Sequence, residues 1–235
     1  MKLIFTLLTM LLLSSNNFAQ LPVEHFDKWR SPDGRNIDFL YISDSKTTPE
    51  YPKIKIVGSP FENNTFQPAI LKKQDGTLFS QLFMRYNAYY DIMEIKNATS
   101  EPDSLIMILK KSPEFTVQIK DKHYLFIPES NIDEVGQYFE VLYNGKKTQL
   151  LKKTTKIFVE GKIARTSFEK DFPHRFNDKV TYFIKDENLK ALPSSNSKKI
   201  AVIESINKEV VDYIKEKNLN LNDENSLIEI ARLLN

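Results

Sequence analysis

The clearest pattern along the chain is an alternation of period two over residues 78–92. Leu82, Met84, Tyr86, Ala88, Tyr90 and Ile92 are apolar or aromatic, while among the odd positions Gln81, Arg85, Asn87 and Asp91 are polar, although Phe79, Phe83 and Tyr89 are not. This spacing predicts a β-strand buried on one face. Phe115, Val117 and Ile119 alternate with Thr116, Gln118 and Lys120, and Asp121-Lys122 then leads into Tyr124–Ile127, which reads as a hairpin. A second hairpin is expected at Tyr138–Tyr143 and Lys146–Leu151, joined by Asn144-Gly145, a pair that tolerates the positive φ angles of a two-residue turn. Further strands are expected at Lys156–Glu160 and Val180–Lys185, and a last one at Lys199–Ile203. The period then changes. Ile206, Val210 and Ile214 recur at helical spacing, and Leu227, Ile230, Ala231 and Leu234 do so again after Asn218–Asn222. Two short amphipathic helices joined by a turn fit that pattern.

The fold class that follows is α+β and mainly β: an antiparallel sheet, as a sandwich or a partly open barrel, with two short C-terminal amphipathic helices. The expected organisation is a signal peptide at 1–19, a polar arm with one or two short strands such as Ile37–Ile42 at 20–52, an antiparallel β region at 53–203, and a helical hairpin at 204–235 on the same domain. The leader expectation rests on Lys2, the apolar run Leu3 to Leu13, the polar Ser14 to Asn17, and Phe18-Ala19-Gln20. That is the layout of a secretory signal cleaved after Ala19, and its apolar run is too short to span a bilayer comfortably. No other apolar run approaches the length of a membrane helix, so the chain is not expected to be an integral membrane protein. A periplasmic or outer-membrane-associated location is expected, with release outside the cell also open.

Composition narrows the chemistry. The 33 Lys+Arg and 31 Asp+Glu nearly cancel, which argues against a nucleic-acid partner. The six glycines are too widely spaced for a phosphate-binding or dinucleotide-binding loop. Without cysteine there is no disulfide, thiolate metal site or cysteine nucleophile. His25, His123 and His174 lie far apart, with no metal-binding spacing. Glu169, Asp171 and His174 form the one tight histidine–carboxylate group, in a stretch that reads as surface loop. Asn218, Asn220, Asn222, Glu224, Ser226 and Glu229 occupy calcium-loop positions, but the glycine of such a loop is Asp223 here, and Asn222 or Asp223 reads better as a helix cap. No catalytic residue, cofactor or metal is therefore expected, and the chain reads as a non-enzyme.

The segment Arg85-Tyr86-Asn87-Ala88-Tyr89-Tyr90-Asp91 is the most distinctive. Tyrosines combine apolar area with a hydrogen-bonding tip, so Arg85, Tyr86, Asn87, Tyr89 and Tyr90 are the candidate binding residues. The same tyrosines also suit a sheet face and a hairpin turn. Gly58-Ser59-Pro60, Phe66-Gln67-Pro68-Ala69, Asp75-Gly76, Arg85-Tyr86-Asn87, Asp91 and Met93-Glu94, with the ending from Val211 through Leu227-Ile228 to Leu-Leu-Asn, resemble an uncharacterised family of small exported proteins of flavobacteria and other Bacteroidota. The resemblance implies an envelope or secreted location and no particular chemistry. The function expected is a binding or scaffold component of the cell envelope acting through protein–protein contact. The alternative is a periplasmic carrier of an apolar ligand, a lipid or acyl chain, in a curved-sheet cavity. An envelope protein is the expected partner, with a lipid or glycan also admissible.

Overall fold

Ala69, Leu82 and Ile119 face one another across three neighbouring strands, as do Met84 with Ile95, Tyr86 with Met93, and Val117 with Tyr124. All of these residues are buried, so the alternation seen in the sequence is one apolar face shared by successive strands. The computed structural model describes residues 41–42, 56–128, 136–164, 166 and 168–235, all within one compact unit. The expected leader at 1–19 and most of the expected arm at 20–52 lie outside the described residues. Of the strand expected at Ile37–Ile42, only its last two residues are described.

The chain is mainly β, with 44% of residues in strands, and three helices follow the sheet. The strands are β1 (Tyr41–Ile42), β2 (Ile56–Val57), β3 (Gln67–Lys73), β4 (Leu78–Asn87), β5 (Ile92–Lys96), β6 (Met107–Leu109), β7 (Phe115–Ile119), β8 (Lys122–Ile127), β9 (Gln137–Asn144), β10 (Gln149–Val159), β11 (His174–Lys185) and β12 (Leu189–Leu192). They form one unclosed sheet in the order β1-β6-β5-β4-β3-β7-β8-β9-β10-β11-β12, with β2 beside β11. Every pairing is antiparallel except that of β2 with β11.

The sheet curls strongly. From β4 to β10 is five strand steps, about 24 Å in a flat sheet, yet the Lys156 N–H on β10 donates to Ala88 O, just past β4, at 3.0 Å. The Tyr86 and Tyr124 rings, three strand steps apart, meet at 5.6 Å. The face carrying them is therefore the concave one.

At the β9–β11 end both faces are covered. Leu150, Ile184 and Leu192 pack under α1 (Asn196–Glu204), α2 (Lys208–Lys217) and α3 (Glu224–Leu233), against Ile203, Val210, Ile214, Leu227 and Ile230 among others. On the other side Phe139, Leu151, Phe183 and Leu189 form a smaller core. Burial on both faces explains why Leu150-Leu151 and Phe183-Ile184 are consecutive apolar pairs instead of alternating ones.

Three sequence expectations change. Residues 199–203 are not a strand but the second half of α1, so the helices number three. Ile203 and Lys199 are buried there, and the Lys199 ammonium donates to Leu221 O at 2.8 Å and Asn222 Oδ1 at 2.6 Å. The Asn144-Gly145 turn is not a two-residue turn. Asn144 pairs with Gln149, and Gly145–Thr148 form the loop, closed by a Gly145 N–H bond to Thr148 O at 3.0 Å. Gly145 is needed for space: a Cβ there would stand 2.2 Å from Oδ1 of Asn235, which accepts the Lys147 N–H at 2.8 Å. The expected strand at Lys156–Glu160 is the far half of β10, which continues unbroken from Gln149. Elsewhere, Asp223 caps α3 by accepting the Ser226 N–H at 2.9 Å, and Asn218 closes α2 in the left-handed region at φ 50°.

Candidate functional site

Beyond Asn87 the β4 chain turns back, and the side chain of Asn87 organises the turn. Its Oδ1 accepts the N–H of Tyr90 at 3.1 Å and of Tyr89 at 3.3 Å, while its Nδ2 donates to Glu94 Oε1 at 3.0 Å. Asp91 completes the reversal with φ at 56°, a left-handed conformation that a short polar side chain tolerates. The result splits the candidate segment in two. Tyr86 is 3% exposed and Asn87 0%, and the Arg85 side chain lies along the opposite face of β4, over Phe61 and Phe66. Arg85 forms two bonds to Glu94 Oε2, at 2.8 Å from Nε and 2.7 Å from Nη2. Arg85, Tyr86 and Asn87 are thus bonded within the fold, and Arg85 and Tyr86 also line a small recess beside Glu62 and Lys122. Tyr89 and Tyr90, 40% and 43% exposed, do face outward.

Those two tyrosines do not stand alone. Tyr90 packs edge-to-face on Tyr89 at 4.6 Å, Tyr89 on Phe176 at 5.2 Å, and Phe176 against Phe158 at 5.3 Å, whose ring stacks on His174 at 5.7 Å. Phe158 and Phe176 are direct cross-strand partners in a hairpin arm. β9 pairs with β10 only as far as Lys152, whereas the β10–β11 pairing runs on to Val159 and Arg175. Five rings thus form a continuous strip that runs from the turn after β4 onto the far end of this arm. Beside it the Lys156 ammonium pairs with Asp178 at 2.5 Å, next to an open recess bounded by Gly58, Phe61, Lys156 and Phe176.

Beneath the strip a buried polar cluster fixes the turn to the far strands. The Asp91 carboxylate receives the Tyr86 hydroxyl at 2.7 Å, the Lys111 ammonium at 2.9 Å, the Lys153 ammonium, and the backbone N–H of Tyr138 at 3.2 and 3.3 Å. Lys153 donates further to Tyr86 Oη at 2.9 Å and Tyr138 O at 3.1 Å. Burial, reinforced by the Asp91 charge, pushes the Tyr86 and Tyr138 hydroxyls well above the usual phenol range. Among the described residues the buried Tyr138 hydroxyl has no hydrogen-bond partner.

A second polar chain crosses the sheet. Glu62 pairs with Lys122 and accepts the Tyr124 hydroxyl at 2.8 Å. Lys122 reaches Glu140 at 3.2 Å, Lys152 lies 3.7 Å from Glu140, and Lys152 pairs with Glu224 of α3 at 2.8 Å. Burial raises the Glu140 pKa more than Lys122 and Lys152 lower it. For Lys122 burial acts downward, but its bonds to Glu62 and Glu140 outweigh it and the net shift is upward. Each charge in this chain is met by an opposite one, as a structural network requires.

The Glu169, Asp171 and His174 group is dispersed by the structure. Glu169 lies 3.7 Å from Lys162, Asp171 accepts the Ala164 N–H at 2.6 Å, and His174 Nδ1 accepts the Gly161 N–H at 3.1 Å. Among the described residues no group of three or more acidic or histidine side chains could hold a metal ion. No described helix is long and apolar enough to cross a membrane. No family model, curated protein or solved structure matches the chain.

Proposed function

We propose that the chain is an exported, non-enzymatic binding protein of the cell envelope, and that its partner protein sits on the strip formed by Tyr90, Tyr89, Phe176, Phe158 and His174. The strip is the observation that carries the reading. Tyr and Phe have few rotatable bonds, so fixing them on binding costs little entropy, and edge-to-face packing holds these rings in place before a partner arrives. A strip of part-exposed aromatics resting on a hydrogen-bonded turn is the kind of surface that dominates protein–protein contacts. Export is supported by the leader layout of residues 1–19 and by the resemblance to exported Bacteroidota proteins.

The alternative carrier reading draws on a groove of about 600 Å³ beside Leu125, Val141 and Tyr143. Polar side chains also line that groove, including Lys72, Glu114, His123 and Asn144, which suits an acyl chain less well. The test is photo-crosslinking in the native envelope from a benzophenone side chain at position 90, with one at exposed Lys198 on α1 as the reference. One protein should be captured from position 90 and not from 198, and Tyr89→Ala with Phe176→Ala should abolish its capture. Equal capture from both positions, or capture that survives the double substitution, would overturn the proposal. A lipid retained by the purified protein, with no strip-dependent capture, would put the carrier reading first.

A further inference from the structure

Past the strip, the β10–β11 arm ends in a tip whose side chains contrast with everything below them. Phe168 is 98% exposed, Ile163 82% and Phe172 57%. Single exposed apolar side chains are ordinary, but three large ones on one short connection are not. Among the described residues neither Phe168 nor Phe172 packs on another ring, whereas each ring of the strip does.

The described residues of the tip are tied together by hydrogen bonds. Lys162 and Phe172 exchange both backbone bonds at 2.8 Å, Gly161 N–H goes to His174 Nδ1, Ala164 N–H to Asp171, and Glu169 N–H to Thr166 O at 3.2 Å. Gly161 allows the two strands to close there, since a Cβ would stand 2.5 Å from Phe172 O. The backbone thus holds the apolar side chains out in water. The charges around them are unbalanced in one direction. Glu169 is taken by Lys162 and Asp171 by the Ala164 N–H, while Lys170 and Arg175 are exposed and have no acidic partner among the described residues. Glu160 is the one acidic side chain of the connection left over.

We propose that this tip is a membrane-docking wedge: Ile163, Phe168 and Phe172 enter the interface of a bilayer while Lys170 and Arg175 meet anionic lipid headgroups. The chemistry favours a lipid surface over a protein. A protein partner needs a shaped surface, which the packed strip offers and the separated tip residues do not. A bilayer accepts divergent apolar side chains wherever basic residues flank them. The tip adjoins the strip at His174, but Ile163, Phe168 and Phe172 belong to no ring contact of the strip, so crosslinking from position 90 and the vesicle response at position 168 test the two assignments separately.

The chain has no cysteine, so one can be placed at will. The experiment uses the full chain as its host processes it, with Phe168→Cys carrying an environment-sensitive fluorophore and Lys198→Cys on α1 as the reference site. Vesicles of phosphatidylethanolamine and phosphatidylglycerol should shift the position-168 emission to the blue and leave position 198 unchanged. Ile163→Ser with Phe172→Ser should weaken that response at least tenfold, and Lys170 or Arg175 replaced by Gln about fivefold each. Thermal unfolding of these variants should match that of the parent, because the replaced side chains are exposed. No shift at position 168 on protein-free vesicles overturns the proposal, and a shift that appears only on native membranes assigns the tip to a protein. An equal response on pure phosphatidylcholine overturns the headgroup assignment.

Discussion

Replacing Asn87 by Ala removes the side chain that turns β4 back and presents the strip. Three hydrogen bonds are lost, but they are not equivalent. The Tyr89 N–H also reaches Pro60 O at 3.2 Å, so its bond to Asn87 is shared and costs little. The Tyr90 N–H loses its acceptor at a part-exposed position where water can replace it, which costs about 1 kcal/mol. The bond to Glu94 weighs most. Glu94 is 1% exposed, water does not reach it, and losing a donor to a buried carboxylate costs about 2 kcal/mol. The expected loss is therefore about 3 kcal/mol, read as a lower urea midpoint at unchanged slope. Asn87→Asp keeps the acceptor but sets a second carboxylate against Glu94, so it should be no more stable than Asn87→Ala. The near-ultraviolet circular dichroism of Tyr89 and Tyr90 should fall while the far-ultraviolet signal persists. A loss below about 1 kcal/mol for Asn87→Ala would refute the reasoning, because it would mean that Glu94 is satisfied without Asn87.

Other substitutions probe the remaining features. Lys153→Met removes a buried cation and leaves Asp91 and the Tyr86 hydroxyl short of a donor, so it should cost about 3–5 kcal/mol in urea unfolding. Tyr138→Phe deletes the unpartnered hydroxyl and should stabilise by about 1 kcal/mol by the same assay. Glu140 holds its proton more tightly folded than unfolded, so it stabilises most below the ordinary glutamate pKa, about 4.3, and this contribution is lost as pH rises through its raised folded value. Measured from pH 4 to 8, the stability of Glu140→Gln relative to the parent should accordingly rise with pH, and a flat difference would show that Lys122 and Lys152 fully compensate. Gly145→Ala should cost about 1–3 kcal/mol, part of it recovered when Asn235→Gly clears the space.

The sequence was legible where one face of a strand is buried. Leu82, Met84 and Tyr86, and later Phe115, Val117 and Ile119, alternate because Arg85, Thr116 and Gln118 between them carry polar groups on the other face, and those strands fall where the period places them. Legibility failed where burial depends on distant partners. Residues 199–203 look strand-like because Ile200, Val202 and Ile203 are β-branched, but Lys199 is drawn into the helical core by carbonyls of the loop before α3. Asn144-Gly145 matches a hairpin signal, yet the glycine answers to Asn235 at the end of the chain. Within the candidate segment, the tyrosines signalled a site, but period two could not separate Tyr86, inside, from Tyr90, outside. That separation is made by Asn87, whose side chain ends the strand between them. Phe158 and Phe176, which complete the strip, gave no sign of themselves because Phe176 meets Tyr89 only once the sheet has curled.

Curling also explains why the turn is so heavily bonded. An unclosed sheet that brings β4 against β10 has no ladder between those strands to hold the seam, beyond the one bond from Lys156 to Ala88. Lys153 of β10 donates directly to Tyr86 of β4, and Asp91 adds to this by taking donors from β4, β9, β10 and the connection before β7 on a single carboxylate. Tyr89 and Tyr90 immediately precede that carboxylate, and Phe158 lies two residues beyond Lys156. The strip therefore straddles the seam: two of its rings come from one side and three from the other. Any force that opened the seam would first separate Tyr89 from Phe176, and a partner gripping both would hold it shut. Partner binding at the strip should for that reason stabilise the curled sheet and protect the Tyr138 and Lys156 amides from hydrogen exchange.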